Sequence, residues 1–310
     1  MATAVTRGRF AWHELMTPDP DAAIRFYRQV VGWGVEQFPS MPDYRMWTSG
    51  GKQRGGVMRQ SEEERRRGLA PHWLMYVAVP DIDATIRQAE GLGGRVRVPA
   101  KSVPTVGRYA ILVDPQGIVF CLYTPEAPRP GSDEAELGDF SWHECAAPDP
   151  NSAWSFYQAL FGWEKSASMD MGPDGTYQMF RRGGGKVDLG AFYKRPADKP
   201  GTAAWLMYAY VHDADRAADL VTQLGGRVLS GPMDVPGGGR IATCVDPQGA
   251  AFAVHSVAAQ EKPESVEKRV VKKKSVKKKT VKKKAAKKKT AKKKTVKKKA
   301  AKKAVKKRRR

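Results

Sequence analysis

The side chains best suited to chemistry come as two pairs, His13-Glu14 and His143-Glu144, set 130 positions apart. A histidine next to a glutamate can ligate a metal or move a proton. A carboxyl in a partly apolar pocket can act as a general base or bind a cationic ligand. The competing use of the same residues is structural, as hydrogen-bonding partners on a sheet surface or between domains. Both pairs lie inside a longer repeat. The stretch Phe10 to Trp33, FAWHELMTPDPDAAIRFYRQVVGW, returns as Phe140 to Trp163, FSWHECAAPDPNSAWSFYQALFGW, with 12 of 24 positions identical. A period of that length means duplicated domains.

The elements that must position these pairs follow from local rules. Phe10 to Leu15 reads as a strand. Asp19 is a good helix N-cap, Pro20 fits the first helical position, and Ile24, Phe26, Tyr27, Val30 and Val31 supply an apolar face that Gly32 closes. Tyr44 to Trp47 and Gly55 to Met58 read as short strands, Ser61 to Gly68 as an exposed charged loop, and Trp73 to Val79 as a strand. Asp81 or Asp83 caps a second helix ending at Gly93-Gly94, and Arg95 to Val98 is a further strand. Tyr109 to Val113 and Ile118 to Tyr123 flank the turn Asp114-Pro115-Gln116-Gly117, where Pro and Gly suit a hairpin. The second half repeats WLMY at Trp205 to Tyr208, LGGRV at Leu224 to Val228 and DPQG at Asp246 to Gly249. The expected organisation is a first domain over 8–125, a Pro, Gly and acid-rich linker over 126–138, a second domain over 139–257 and a Lys-rich tail over 258–310.

Charge divides the chain unevenly. Of 55 Lys and Arg and 32 Asp and Glu, residues 261–310 hold 28 and 3, leaving 27 basic against 29 acidic residues before them. The body is nearly neutral and the tail owns the formal charge of +23. Six KKK triplets recur every five residues from Lys272 to Lys299, a pattern that forms no apolar face and is expected to be disordered. Three cysteines, Cys121, Cys145 and Cys244, cannot all pair within one chain and point to a reducing compartment. The N-terminal residues lack the apolar run of a signal peptide, and no stretch reaches the about 18 apolar residues of a membrane span. The expected address is the cytoplasm, in association with the nucleoid.

The motifs WHELMTPDP, FYRQVVGW, LGGRV and DPQG, with WHECAAPDP, FYQALFGW, LGGRV and DPQG in the second half, resemble the vicinal oxygen chelate superfamily. That superfamily includes glyoxalase I, bleomycin-resistance proteins and extradiol dioxygenases. The resemblance spans about residues 8–257. It implies an α+β fold of tandem glyoxalase-like domains, each of two paired βαβββ modules that form a curved mixed sheet around a cleft. Metal-dependent members place His or Glu on inward strand positions. Counted from the helix caps and the Gly-Gly and DPQG landmarks, those positions fall on Trp12, Leu74 and Cys121 in the first half and on Trp142, Leu206 and Ala253 in the second, with a fourth near Val57 or Asp188. His13 and His143 are one position off, hence on the opposite face of the strand. No metal site and no other cofactor are expected.

If Trp12 faces the cleft, so does Glu14, and the same holds for Trp142 and Glu144. Glu14 and Glu144 are therefore the candidate catalytic residues. Trp12, Trp47, Trp73, Cys121 and Tyr123, with Trp142, Trp205 and His255, are the candidate ligand contacts, an aromatic wall for a flat or apolar small molecule. The tail resembles the Lys-rich tails of linker histones. Lys272, Lys273, Lys274, Lys277, Lys278, Lys279, Lys282, Lys283 and Lys284, with Arg308, Arg309 and Arg310, are the candidate contacts to DNA or RNA, bound without sequence preference. The leading expectation is a small-molecule-binding protein tethered to nucleic acid. A glyoxalase- or lyase-type enzyme with Glu14 or Glu144 as base and a histone-like nucleoid protein with a scaffold body are the alternatives.

Overall fold

A computed structural model describes residues 7–127, 131–196 and 203–257. The tail residues named above lie outside these. The described residues belong to one compact unit.

The first half contains β1 (Phe10–Thr17), α1 (Pro20–Val30), β2 (Gly34–Gln37), β3 (Arg45–Ser49), β4 (Lys52–Arg59), α2 (Glu62–Arg66), β5 (His72–Ala78), α3 (Ile82–Gly91), β6 (Arg95–Val103), β7 (Gly107–Val113) and β8 (Val119–Pro125). The second half repeats the order as β9 (Phe140–Ala147), α4 (Pro150–Phe161), β10 (Trp163–Asp170), β11 (Thr176–Arg182), β12 (Asp188–Lys194), β13 (Ala204–Tyr210), α5 (Ala214–Gln223), β14 (Arg227–Val235), β15 (Gly239–Val245) and β16 (Ala251–Val257). Each half builds one eight-stranded sheet, β2-β3-β4-β1-β5-β8-β7-β6 and β10-β11-β12-β9-β13-β16-β15-β14. Each sheet thus joins two βαβββ modules along the antiparallel pairs β1/β5 and β9/β13.

The helix caps work as their residue types require. The Asp19 carboxylate accepts from the Asp21 and Ala22 N–H groups, and Asp149 does the same for Asn151 and Ser152. Asp81 caps α3. The charged segment expected as a loop contains the short helix α2. Its start carries a capping box in which Ser61 and Glu64 satisfy each other's backbone N–H, enough to order one exposed turn.

One side of both sheets faces a single shared core. Leu15, Tyr27, Trp33, Trp47, Trp73 and Phe120 pack there with Tyr157, Trp163, Phe180, Phe192 and Phe252. The motifs read as local caps and turns also lock the halves together. The Gln248 side chain accepts from the Asp19 N–H at 2.8 Å and donates to the Asp19 carbonyl at 2.9 Å, and Gln116 binds Asp149 with the same two distances. The DPQG turn of each half therefore docks on the helix cap of the other. Tyr27 donates to the buried Asp246 of that turn at 3.1 Å. The indole N–H groups of Trp33 and Trp163 reach across to the Gly138 and Gly8 carbonyls at 2.8 and 2.6 Å.

Candidate functional site

Strand alternation sorts the WHE motif onto two faces. In β1, Trp12, Glu14 and Met16 turn away from the shared core, while His13 and Leu15 turn toward the second half. A register shift between Phe10 and Trp12 puts Phe10 on the His13 side, where it stacks on His143 with ring centroids 3.6 Å apart. Phe140 stacks on His13 in the mirror arrangement, at 4.0 Å.

The two histidines meet between the halves, Nε2 to Nε2, at 2.7 Å. The Leu189 carbonyl, 3.1 Å from His143 Nδ1, can only accept. His143 thus carries its proton on Nδ1 and receives a hydrogen bond at Nε2 from His13. Burial holds both rings neutral: it drives His13 well below the usual imidazole range, helped by His143, and pushes His143 down to about 3. This pair is a buried interdomain contact, as the structural alternative had it.

A cavity of about 650 Å³ opens along the other face of the first sheet, lined by Trp12, Glu14, Tyr44, Met58, Tyr76, Tyr109 and Tyr123, and extends past the linker acids to His13, Phe140, His143 and Leu189. Met16, Leu74, Tyr76 and Cys121 form a buried cluster against which Trp12, Met58, Tyr109 and Tyr123 pack. Glu14 is held by the Tyr76 phenol, which donates to its Oε2 at 2.8 Å; Tyr44, which accepts from the Trp12 indole N–H at 2.8 Å, also favours the ionised carboxyl. Burial pushes the Glu14 carboxyl up; the two phenols act in the opposite sense and the Glu64 carboxylate in the same one. Gly56 makes room for Tyr44, since an added methyl there would overlap the Tyr44 hydroxyl.

The second sheet repeats this frame. Trp142 donates to Tyr177 at 2.8 Å, and Glu144 accepts from Tyr177 at 2.6 Å and from Tyr208 at 2.8 Å, one phenol on each oxygen. Burial raises Glu144 too, and its two phenols oppose the shift. His255 pairs with Ser141 through Nδ1 at 2.9 Å, and burial lowers its pKa.

The structure brings Trp12, Glu14 and Tyr123 to one cavity, with Cys121 buried beneath it. It does not bring Trp47, Trp73 or Trp205 there. These three belong to the shared core, their indole N–H groups bonded to the Gly56 carbonyl, Tyr27 and Tyr157. The reason is register: Trp73 lies opposite Leu15 and Trp205 opposite Cys145, both core-facing positions. Sequence reasoning missed Tyr44, Tyr76, Tyr177 and Tyr208. Two of them close the repeated WLMY motif, which was the available signal.

Residues 12–123 match the family model described as a glyoxalase-like domain, and residues 141–254 the one described as the glyoxalase/bleomycin resistance protein/dioxygenase superfamily. CFP32 of Mycobacterium tuberculosis, which carries a provisional glyoxylase name, is 32% identical over 255 residues, covering 81% of this chain and 95% of that protein. DauV of a Streptomyces species, named as an anthracycline biosynthesis protein, is 29% identical over 269 residues, covering 81% and 94%. A Mn(II)-bound glyoxalase from Novosphingobium aromaticivorans has a similar fold, with a TM-score of 0.55 at 16% identity over 81% of this chain and 83% of that one.

A divalent ion of that kind does not suit the residues present. Facing the first cavity, Glu14 is the only carboxylate among the four central strands, accompanied by phenols and thioethers, and the linker-side acids Asp133, Glu136 and Asp139 that also line it are paired with Arg182, Lys52 and Arg54. Val57 points into the core. On the second sheet Asp188 is paired with Arg181 at 3.5 Å. Among the described residues no three His, Cys, Asp or Glu side chains converge. One carboxylate does not hold a divalent cation against water.

Proposed function

For a chain that belongs to the glyoxalase/bleomycin resistance protein/dioxygenase superfamily, we propose that the first cleft binds a small organic molecule directly against Glu14. The observation that carries this is a carboxyl, held by the Tyr76 phenol, on the wall of a cavity of about 650 Å³. That volume suits a ligand of drug-like size, and the mixture of many aromatic surfaces with one convergent polar group is what such sites use. Catalysis is the second reading. It rests on the raised pKa of Glu14, which lets the group take up and return a proton more readily than an exposed carboxyl. Proton transfer at a carbon or oxygen beside Glu14 is then the reaction class, of the lyase or isomerase kind.

A thermal-shift screen of metabolites and aromatic compounds on the intact, chelator-dialysed chain tests binding, since a ligand for the folded state stabilises it by mass action. Binders should raise the melting temperature of the parent chain and lose that effect in Glu14→Gln. Silence across the library would return the body to a scaffold role.

The tail reading is kept as a proposal on charge alone: 28 Lys and Arg in residues 261–310 would bind nucleic acid by displacing counterions. The full chain should bind duplex DNA with a steep salt dependence and lose it when cut after Ala258. Equal affinity with and without those residues would sink the tether.

A further inference from the structure

Of the four Lys and Arg side chains along the first cavity, all but Arg9 already have acidic partners. Lys52 binds Glu136 of the linker at 2.7 Å, Arg54 binds Glu136 and Asp139, and Arg108 grips Asp83 through two bonds of 2.6 and 3.0 Å. Arg9 lines the cavity beside Gly131. Glu14 is placed differently. Its partners are phenol hydroxyls, and the charge that acts on it, Glu64, has the same sign. The rings of Trp12, Phe38, Tyr44, Tyr76, Tyr109 and Tyr123 surround the same space. Aromatic faces attract cations and carry no compensating charge of their own. A buried acid without a cation, set among such rings, is the arrangement that a positively charged organic group would complete. An anionic ligand would meet Glu14 with like charge, and a neutral one would leave it uncompensated.

Building on the reading of the first cleft as a ligand site, we propose that it selects organic cations: an apolar or aromatic molecule whose tertiary or quaternary ammonium seats against Glu14 inside the aromatic wall. An ammonium beside Glu14 favours its carboxylate form over the acid.

Three probes of one shape test this on the full chain by ligand-observed NMR titration: benzyltrimethylammonium, its uncharged isostere neopentylbenzene, and the anion phenylmethanesulfonate. The cation should bind about tenfold or more tighter than the isostere, and the anion weakest. Glu14→Gln should erase the advantage of the cation and leave the isostere unchanged; Glu144→Gln should alter neither. The parent chain alone supplies a second test should the variant fold poorly. Cation affinity should fall as pH is lowered through the Glu14 titration, while isostere affinity stays flat. The other groups facing Glu14 are Tyr44, Tyr76, Tyr109, Cys121 and Glu64, and the isostere titration controls for them. Equal affinities for the cation and isostere, or a pH-independent cation affinity, overturn the cation proposal and leave the ligand site standing. Failure of all three probes to bind counts against both.

Discussion

In the first sheet Trp12 donates to Tyr44 and Glu14 accepts from Tyr76; in the second the hydrogen-bonded series runs from Trp142 to Tyr177 and Glu144, with Tyr208 on the other oxygen. The walls around these frames have diverged. By register, Gly56 corresponds to Ala191, Met58 to Tyr193, Tyr109 to Ile241, Cys121 to Ala253 and Tyr123 to His255. Duplication kept the series that holds a buried acid in place and changed the surface that a ligand would touch. The frame is therefore the part tied to the fold, and the walls are the part free to set specificity.

If the halves share one core, damage to either should be felt equally. Trp47 and Phe180 occupy equivalent core positions, each fully buried. Either one changed to Ala should cost about 3–5 kcal/mol and still give a single melting transition. Two transitions, or a silent substitution on one side, would show that the halves stand alone.

The histidine pair joins the two sides and gives the next largest effect. Both imidazoles have folded pKa values below their unfolded value, so their neutral forms support the fold above about pH 6.5, and that support is lost as pH falls below it. Each should contribute about 1.4 kcal/mol of lost stability per pH unit in that range. The difference between the parent chain and the double variant His13→Leu, His143→Leu, followed by urea unfolding from pH 7 to 5, isolates this from the carboxyls. A constant difference would contradict the buried neutral pair.

Copying the second wall into the first is a smaller change. Gly56→Ala should push Tyr44 off its seat and break its bond to Trp12, a loss of about 1 kcal/mol, while weakening any ligand of the first cleft. A crystal structure with Tyr44 unmoved would show that the two frames are not set by this residue.

The smallest expected effect separates the two acids. A carboxyl whose folded pKa is raised supports the fold below its unfolded pKa and loses that support as pH rises through the folded one. Glu14→Gln should thus gain stability over the parent chain at pH 8 relative to pH 4. Glu144→Gln should gain less, since no like charge acts on Glu144 as the Glu64 carboxylate acts on Glu14. Denaturant midpoints at the two pH values measure both.

Much of the frame was legible before any coordinates. The Asp19 and Asp149 caps, the DPQG turns and the placement of Glu14 opposite His13 follow from local chemistry and strand period. The tryptophans did not sort as easily. WLMYVAV is apolar on both faces, so its alternation does not tell Trp73 in the core from Tyr76 on the cavity. The phenol clamp brings together residues 32 and 62 positions apart, and no local rule reports such a meeting. The docking of Gln116 on Asp149 and of Gln248 on Asp19 was hidden for the same reason, although both motifs recur intact in each half.

The central claim is that Glu14, and not a metal ion or Glu144, anchors a ligand in the first cleft. Isothermal titration of the strongest screened binder into the chelator-dialysed chain and its two glutamate variants tests it most directly. The account predicts one site per chain, binding about tenfold weaker in Glu14→Gln and unchanged in Glu144→Gln. Binding that requires added Mn(II), or that survives Glu14→Gln and fails in Glu144→Gln, would contradict it.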